Sequence, residues 1–451
     1  MSEAGQREPR RSLGLLDATM VGMGAMIGAG IFVLTGLAAE TAGPAAILVF
    51  LLNGVVTSFT ALSYAELAAA IPESGGGYAY VKEVYSELVS FLMGWMLWFA
   101  YMIAGALYAI GFGSNFLEFL EIFGVHLPEA VALGPVALPV GATVLGLLVV
   151  GGFVALNAVS TSASGGAETV VTLIKIAILV VFVAFGVFEA DPAEFDPTFT
   201  KGALAVLPAM GLTFIAFEGY DLIATVTEEV KDPERNIPRA IFYSLAATVV
   251  IYLLVVFVAI GVKGAEGLAD GGERAIAVAA QQFMPTIPGL AVGGAAVIAF
   301  GAVFSTVSAL NAVILASSRV AFAMGREGQL PGGIGRIHHR FGTPFRAVLA
   351  SAVVMLLAVA FIPIQAVGRL SSLFFLLSFV VVNASVITLR RERPDLNRPY
   401  EMPFYPLPPL LGIGLNLLLG VFIEFDTWVM GVAWIGLGVV VYLALERRGE
   451  P

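Results

Sequence analysis

Gly22, Gly24, Gly28, Gly30 and Gly36 all fall between Met20 and Gly36, in a stretch otherwise apolar enough to sit in a bilayer. Glycine inside a helix costs about 1 kcal/mol relative to alanine, so this crowding predicts a helix that comes undone near its middle. Lipid cannot bond the N–H and C=O groups that unwinding frees, so such backbone must line a cavity or be buried in protein. The N–H groups around Gly28, Ala29 and Gly30 would stand at the start of a second half-helix, at the positive end of its dipole, and suit a carboxylate. Carbonyls released near Met26 and Ile27 would suit an ammonium. A second interruption lies in LPAMGLTFIAFEGYDLIATVTEEV, where Glu218, Gly219 and Asp221 break an apolar run and the carbonyls of Ile215, Ala216, Phe217 and Glu218 offer further acceptors. The two together describe a site for a small solute bearing both charges. Phe217 either covers that site or simply packs. Glu218 either accepts N–H groups at the break or touches the solute, and the first role is favoured. Lys175, in TLIKIAILVV, sits about nine residues or roughly 14 Å beyond Gly165-Gly166, in a core of half-thickness roughly 15 Å. An ammonium at that depth costs at least about 2.5 kcal/mol, which leaves two readings: a proton carrier, or a structural lysine paired to backbone carbonyls.

The elements that position these groups are membrane spans. Of the 451 residues, 59% are hydrophobic and only 12% charged, with a mean hydropathy of +0.93, against roughly a quarter charged in soluble proteins. At about 20 residues per span, twelve apolar segments are expected, at about 14–38, 44–70, 86–117, 138–157, 167–188, 203–226, 239–262, 290–324, 345–362, 369–389, 407–424 and 428–446. Starting the chain in the cytoplasm puts nearly all basic residues on the inner side, among them Arg7, Arg10, Arg11, Lys82, Arg235, Arg319, Arg390 and Arg448. Only Lys201, Lys263, Arg274 and Arg369 fall outside, where acids such as Glu118, Glu121, Glu129 and Glu273 gather. The positive-inside rule then places both termini in the cytoplasm of a cell-membrane protein. The division expected is a cytoplasmic tail at 1–13, a core at 14–389, a cytoplasmic loop at 390–406, two further spans at 407–446 and a tail at 447–451.

Absences bound the chemistry. There is no cysteine, so disulfides and thiolate sites are excluded. The adjacent His338 and His339 lack metal-ligand spacing, and no nucleophile cluster stands out. No enzyme, cofactor, metal or nucleic-acid partner is expected; oligomeric state is not written in the sequence. A channel would want a continuous polar stripe, which is lacking. Glu66 and the Glu228-Glu229 to Lys231-Arg235 cluster could form ion pairs at an inner gate, or be solvated loop charges.

The two breaks lie five segments apart, in the first and the sixth. Discontinuous helices at matching positions of two halves point to inverted repeats with a binding site at the midplane between them. Segments 1 to 5 and 6 to 10 would be the repeats. The competing view, that small residues in the first segment only allow close helix packing, explains the glycines but not Glu218.

Specific segments resemble a known family. GAMIGAGIF (24–32), SYAELAAAIPESGGGYAYV (63–81), FIAFEGYD (214–221), EEVKDPERNIPRAI (228–241) and SSRVAFAMGREGQLP (317–331) are similar, in order and over nearly the whole chain, to signature segments of amino acid permeases. These belong to the amino acid-polyamine-organocation superfamily, and the likeness is to its prokaryotic branch related to cationic amino acid transporters. The resemblance implies an all-α membrane protein of about twelve spans with the leucine-transporter-type 5+5 inverted repeat, broken in spans 1 and 6. It implies substrate contacts from Met26, Ile27, Gly28, Ala29, Gly30, Ile215, Ala216, Phe217, Glu218 and Gly219. It further implies that the ammonium of Lys175 replaces the cation that sodium-coupled relatives hold between spans 1 and 8, with Ser305, Thr306 or Ser308 nearby. The expected activity is secondary active uptake of an amino acid with protons; an amino acid or polyamine exchanger of the same fold is the alternative. Some relatives taking cationic substrates carry an acid after the GW pair of GWMLWFAYMIAG (94–105), where this chain has Ala100, so the resemblance implies neutral amino acids.

Overall fold

A computed structural model describes residues 12–72, 75–126, 131–133, 136–138, 140–159, 165–284 and 293–447. Arg7, Arg10, Arg11, Arg448 and Glu129, with most of both tails, lie outside the described residues. Among the described residues the chain is all-helical apart from a small antiparallel hairpin of β1 (Val131–Leu133) and β2 (Val136–Leu138). Its helices are α1 (Leu15–Met26), α2 (Ala29–Ala42), α3 (Ala46–Ala70), α4 (Gly77–Lys82), α5 (Glu87–Ile122), α6 (Val140–Val159), α7 (Gly165–Gly186), α8 (Val206–Thr213), α9 (Tyr220–Thr225), α10 (Pro233–Gly271), α11 (Ala275–Phe283), α12 (Gly294–Arg326), α13 (Phe345–Phe361), α14 (Ile364–Glu392), α15 (Leu407–Val421) and α16 (Phe425–Arg447).

Among the described residues, 9 apolar helical runs are long enough to cross a membrane, and the shorter Phe345–Phe361 and Leu407–Val421 join them. The longest run, Leu15–Ala70, contains a break after α1 and a turn at Gly43-Pro44, so it supplies the first two expected segments; each of the others has its helix. Apolar side chains stay exposed around the outside, at Leu148, Val170, Val180, Val250, Leu357, Val432 and Val440, which is the surface that hydrocarbon rather than water would cover. Boundaries moved where turn chemistry acts. Pro233 starts α10 ahead of the expected 239, its fixed φ and missing N–H suiting the first helical position, and α14 begins right after Pro363 instead of at 369. The short α4 and α11 were not anticipated, because neither is long enough to register as a span.

α5 runs through the middle, packed on α12, α14, α6 and α13, while α1 and α2 lie against α10. Polar contacts gather at two rims. The rim holding both described chain ends joins Leu13 to Val230, Glu229 to Arg319, Lys82 to Glu327 and Glu83 to Arg393. The opposite rim joins Arg274 to Glu118, Ser114 to Glu273 and Arg369 to Glu424. No ion pair among the described residues joins the two sets, as alternate spans require.

Glu66, at the end of α3, is not a solvated charge. Its carboxylate accepts from Nε and Nη2 of Arg390 on α14, both at 2.7 Å, and from the Met402 N–H at 2.9 Å. The guanidinium lies over the Tyr405 ring, 4.2 Å from its centroid. This clamp fixes α3, α14 and the 393–406 connection together, with Arg398 Nε a further 3.8 Å from the carboxylate, and truncating Glu66 leaves two largely buried guanidiniums without their carboxylate. Glu66→Ala is expected to cost about 3 kcal/mol, read as an apparent Tm lower by a few degrees in detergent, and Glu66→Met with Arg390→Met should recover most of the loss. A single variant as stable as the parent would show that the clamp contributes nothing.

Candidate functional site

The first segment unwinds between Met26 and Ala29. Gly28 N–H turns back to the Met26 carbonyl at 2.7 Å, and α2 then starts at Ala29. The N–H groups of Ala29, Gly30 and Ile31 therefore have no carbonyl a turn earlier in their own helix, and they form the positive end of α2. The sixth segment breaks differently. α8 tightens into a 3-10 turn at Phe214–Phe217, Glu218 is extended, and Gly219 sits at φ 138 before α9 begins, a left-handed conformation that glycine enters without steric cost.

The two gaps face each other at backbone distance. A Cβ added to Gly30 would lie 2.7 Å from Ala216 Cα, and one added to Gly219 would lie 2.6 Å from the Met26 nitrogen. The sequence-expected residues from Met26 to Gly30 and from Ile215 to Gly219 are thus brought together, and all are buried.

Side chains from surrounding helices brace the loosened carbonyls. The Tyr252 hydroxyl of α10 lies 2.5 Å from the Met26 carbonyl and 3.0 Å from that of Ala216, so its single proton can go to either break. Ser305 of α12 donates to the Ile27 carbonyl at 2.5 Å. Lys175 of α7, fully buried, donates from Nζ to the Gly24 carbonyl at 2.8 Å. Ser372 of α14 accepts from the Ile215 N–H at 3.1 Å, while the Ile215 carbonyl takes the Glu218 N–H at 3.2 Å. The Ile27 and Ala216 carbonyls, each with one of these bonds, retain a second lone pair for a ligand, whereas the Met26 carbonyl has one free only when the Tyr252 proton goes to Ala216.

Other expected residues take different places. Thr306 turns its hydroxyl to the Val303 carbonyl of its own helix, and Ser308 donates to Glu168 at 3.2 Å, so of the three α12 hydroxyls Ser305 alone is placed at the gap. The Gly219 N–H goes to Asp221 Oδ1 at 2.9 Å, and Tyr101 of α5 donates to Oδ2 at 2.5 Å. The N–H at this break is therefore held by Asp221, where the sequence reading favoured Glu218. Neither carboxylate oxygen of Glu218 has a hydrogen-bond partner among the described residues, though the side chain is only 5% exposed. The Phe217 ring packs between Phe50 and Tyr252, on the α3 and α10 side. His338 and His339 stack on each other, and no group that could hold a metal occurs among the described residues.

The geometry presents backbone donors and acceptors, a buried ammonium and an unpaired carboxylate around two facing helix breaks. A family model described as "Amino acid permease" matches residues 13–444. The chain belongs to the amino acid permease family. It is 31% identical over 448 residues to a branched-chain amino acid permease of Bacillus subtilis, covering 99% of this chain and 95% of that one. It is 32% identical over 444 residues to a methylthioribose transporter of Bacillus subtilis (97% and 94%), and 29% identical over 456 residues to the serine/threonine exchanger SteT of that organism (97% and 98%).

In this permease α2 packs on α11 and, through Gly36, on the Gly272–Arg274 turn at the opposite rim. On the rim of the chain ends a cavity of about 440 Å³ opens among Tyr78, Lys82, Thr225, Glu229, Arg319 and Glu327.

Tyr252 was not anticipated, although a lone phenol in the apolar TVVIYLLVV run was there to be noticed. Tyr252→Phe keeps the ring against Phe50 and Phe217 and removes only the bridging hydroxyl. Depriving buried carbonyls of a partner costs about 1–3 kcal/mol. The expected result is normal insertion, a lower apparent Tm and uptake reduced about tenfold; uptake equal to the parent's in proteoliposomes would refute a bridging role.

Proposed function

We propose that this permease imports neutral amino acids across the cell membrane together with protons, with both termini in the cytoplasm and spans 1 to 5 and 6 to 10 acting as inverted repeats. In this reading the N–H groups at Ala29 and Gly30 hold the substrate carboxylate. The free lone pairs of the Ile27 and Ala216 carbonyls hold its ammonium, joined by the Met26 carbonyl when the Tyr252 proton turns to Ala216, with Glu218 beside them. Glu218 has no hydrogen-bond partner of its own among the described residues, and an arriving ammonium would give it one. The absence of an acid at Ala100, whose carbonyl is taken by Ser371, supports neutral rather than cationic substrates, as does the name of the branched-chain relative.

The observation that carries proton coupling is the Lys175 bond to the Gly24 carbonyl. As an ammonium, Lys175 makes a charge-assisted bond that ties α7 to the first half of the broken span; losing the proton weakens that tie. A proton can therefore shift the balance between two conformations, in proportion to its differential interaction with each. The exchanger relative supports the alternative of obligate exchange, in which Lys175 stays charged and purely structural.

Sealed proteoliposomes with imposed gradients separate the two. Uptake should follow an inward proton gradient without sodium, and Lys175→Ala should bind substrate, read as a ligand-induced thermal shift, yet lose the proton drive. Sodium-driven uptake, or a Lys175→Ala protein that still concentrates substrate on protons alone, defeats the mechanism. In competition against a labelled neutral amino acid, neutral competitors should outdo lysine and arginine by about tenfold, a difference of about 1.4 kcal/mol. Arginine as the best competitor would give Glu218 a cationic side chain as its partner instead.

A further inference from the structure

We infer that Glu168 is the group that accepts the proton from Lys175 and delivers it to the rim of the chain ends, an inference that rests on the proton-coupled reading. Residues 168, 172 and 175 stand at i, i+4 and i+7 on α7 and share one face. Helical side chains lean toward the N-terminus, so Lys175 reaches back along this face toward Thr172 and Glu168.

The face is laid against α1 as a polar seam. Thr169 donates to Asp17 at 2.9 Å, Thr172 to the Met20 carbonyl at 3.2 Å, and Lys175 to the Gly24 carbonyl at 2.8 Å. Gly24 is the point where both ends of the relay meet. A Cβ there would run into Glu168 Oε1 and Thr172 Oγ1, so these oxygens press on the residue whose carbonyl holds the ammonium. Any larger side chain would separate them.

Glu168 is held for such a task without being neutralised. Oε1 takes the Ser308 hydroxyl at 3.2 Å and lies 3.5 Å from that of Thr172, and no salt bridge to it occurs among the described residues. The other charged group α1 presents to this end of α7 is Asp17, which accepts from Thr169 and from the Gly14 N–H. From α12 the partner is the Ser308 hydroxyl, and none of the charged side chains of α10 or α12 is paired with Glu168 among the described residues. Glu168 is half-buried and lies in the first turn of α7, whereas Lys175 is enclosed.

The transfer balances. The ammonium gives one N–H proton to the carboxylate, leaving an amine and a carboxylic acid; the acid then loses that proton to water at the rim. The pair has no net charge before or after the internal step, so no uncompensated charge is created in the hydrocarbon, where it would be most costly. Thr172, between the two on the helix, has a hydroxyl that can accept and donate at once.

Glu168→Gln keeps the size and an acceptor for Ser308 but cannot take a proton. In proteoliposomes it should bind a neutral amino acid as the parent does, by thermal shift, and exchange it in counterflow at equal pH within about twofold. Net uptake on a proton gradient should fall about tenfold and lose its dependence on internal pH, with Glu168→Asp restoring part of it. Parental net uptake and pH profile in Glu168→Gln would overturn the relay. So would a parallel loss of counterflow, which marks a structural role. A parent protein that shows no proton drive overturns the symport reading itself, and the relay with it, before any Glu168 variant is compared.

Discussion

Hydrocarbon offers no hydrogen bonds, so a span that unwinds within it has to find partners for its backbone from other helices. This requirement organises the centre of the molecule. α10 supplies the Tyr252 hydroxyl, α12 the Ser305 hydroxyl, α7 the Lys175 ammonium and α14 the Ser372 hydroxyl. Each bond contributes only about 1 kcal/mol net, yet each is costly to leave unmade, which fixes the rotation of four helices about the two gaps. The breaks are therefore a braced junction rather than loose loops, and the surrounding bundle is arranged to serve it.

What the sequence discloses about this junction depends on how local the determining physics is. Glycine crowding before Gly36 and a charge inside an apolar run at Lys175 are local signals, and both features stand where they were expected. Apolar length located the spans equally well, except where proline moved a boundary or where α4 and α11 were too short to register.

The choice among neighbouring polar residues is not local. Ser305, Thr306 and Ser308 are equivalent in the sequence, but successive positions on a helix differ by about 100° in direction, and the rotation of α12 sends one hydroxyl to the gap, one to its own carbonyl and one to Glu168. Likewise Asp221 rather than Glu218 holds the Gly219 N–H, because the turn into α9 puts the later carboxylate back over the amide. Tyr252 and Tyr101 belong to helices that the sequence does not show to be adjacent to the breaks; only the packed bundle makes them partners.

The close backbone approach of Gly30 to Ala216 and of Gly219 to Met26 also has a mechanical meaning. α1 packs beside α9, and α2 beside α8, so each half of one broken span is yoked to the antiparallel half of the other. The crossing point has no side chain thick enough to act as a spacer. A force that tilts α1 away from α7 at the rim of the chain ends is transmitted to α9, while the α2–α8 pair can stay seated at the far rim. The crossing thus couples the two broken spans backbone to backbone, so neither can be displaced there without displacing the other.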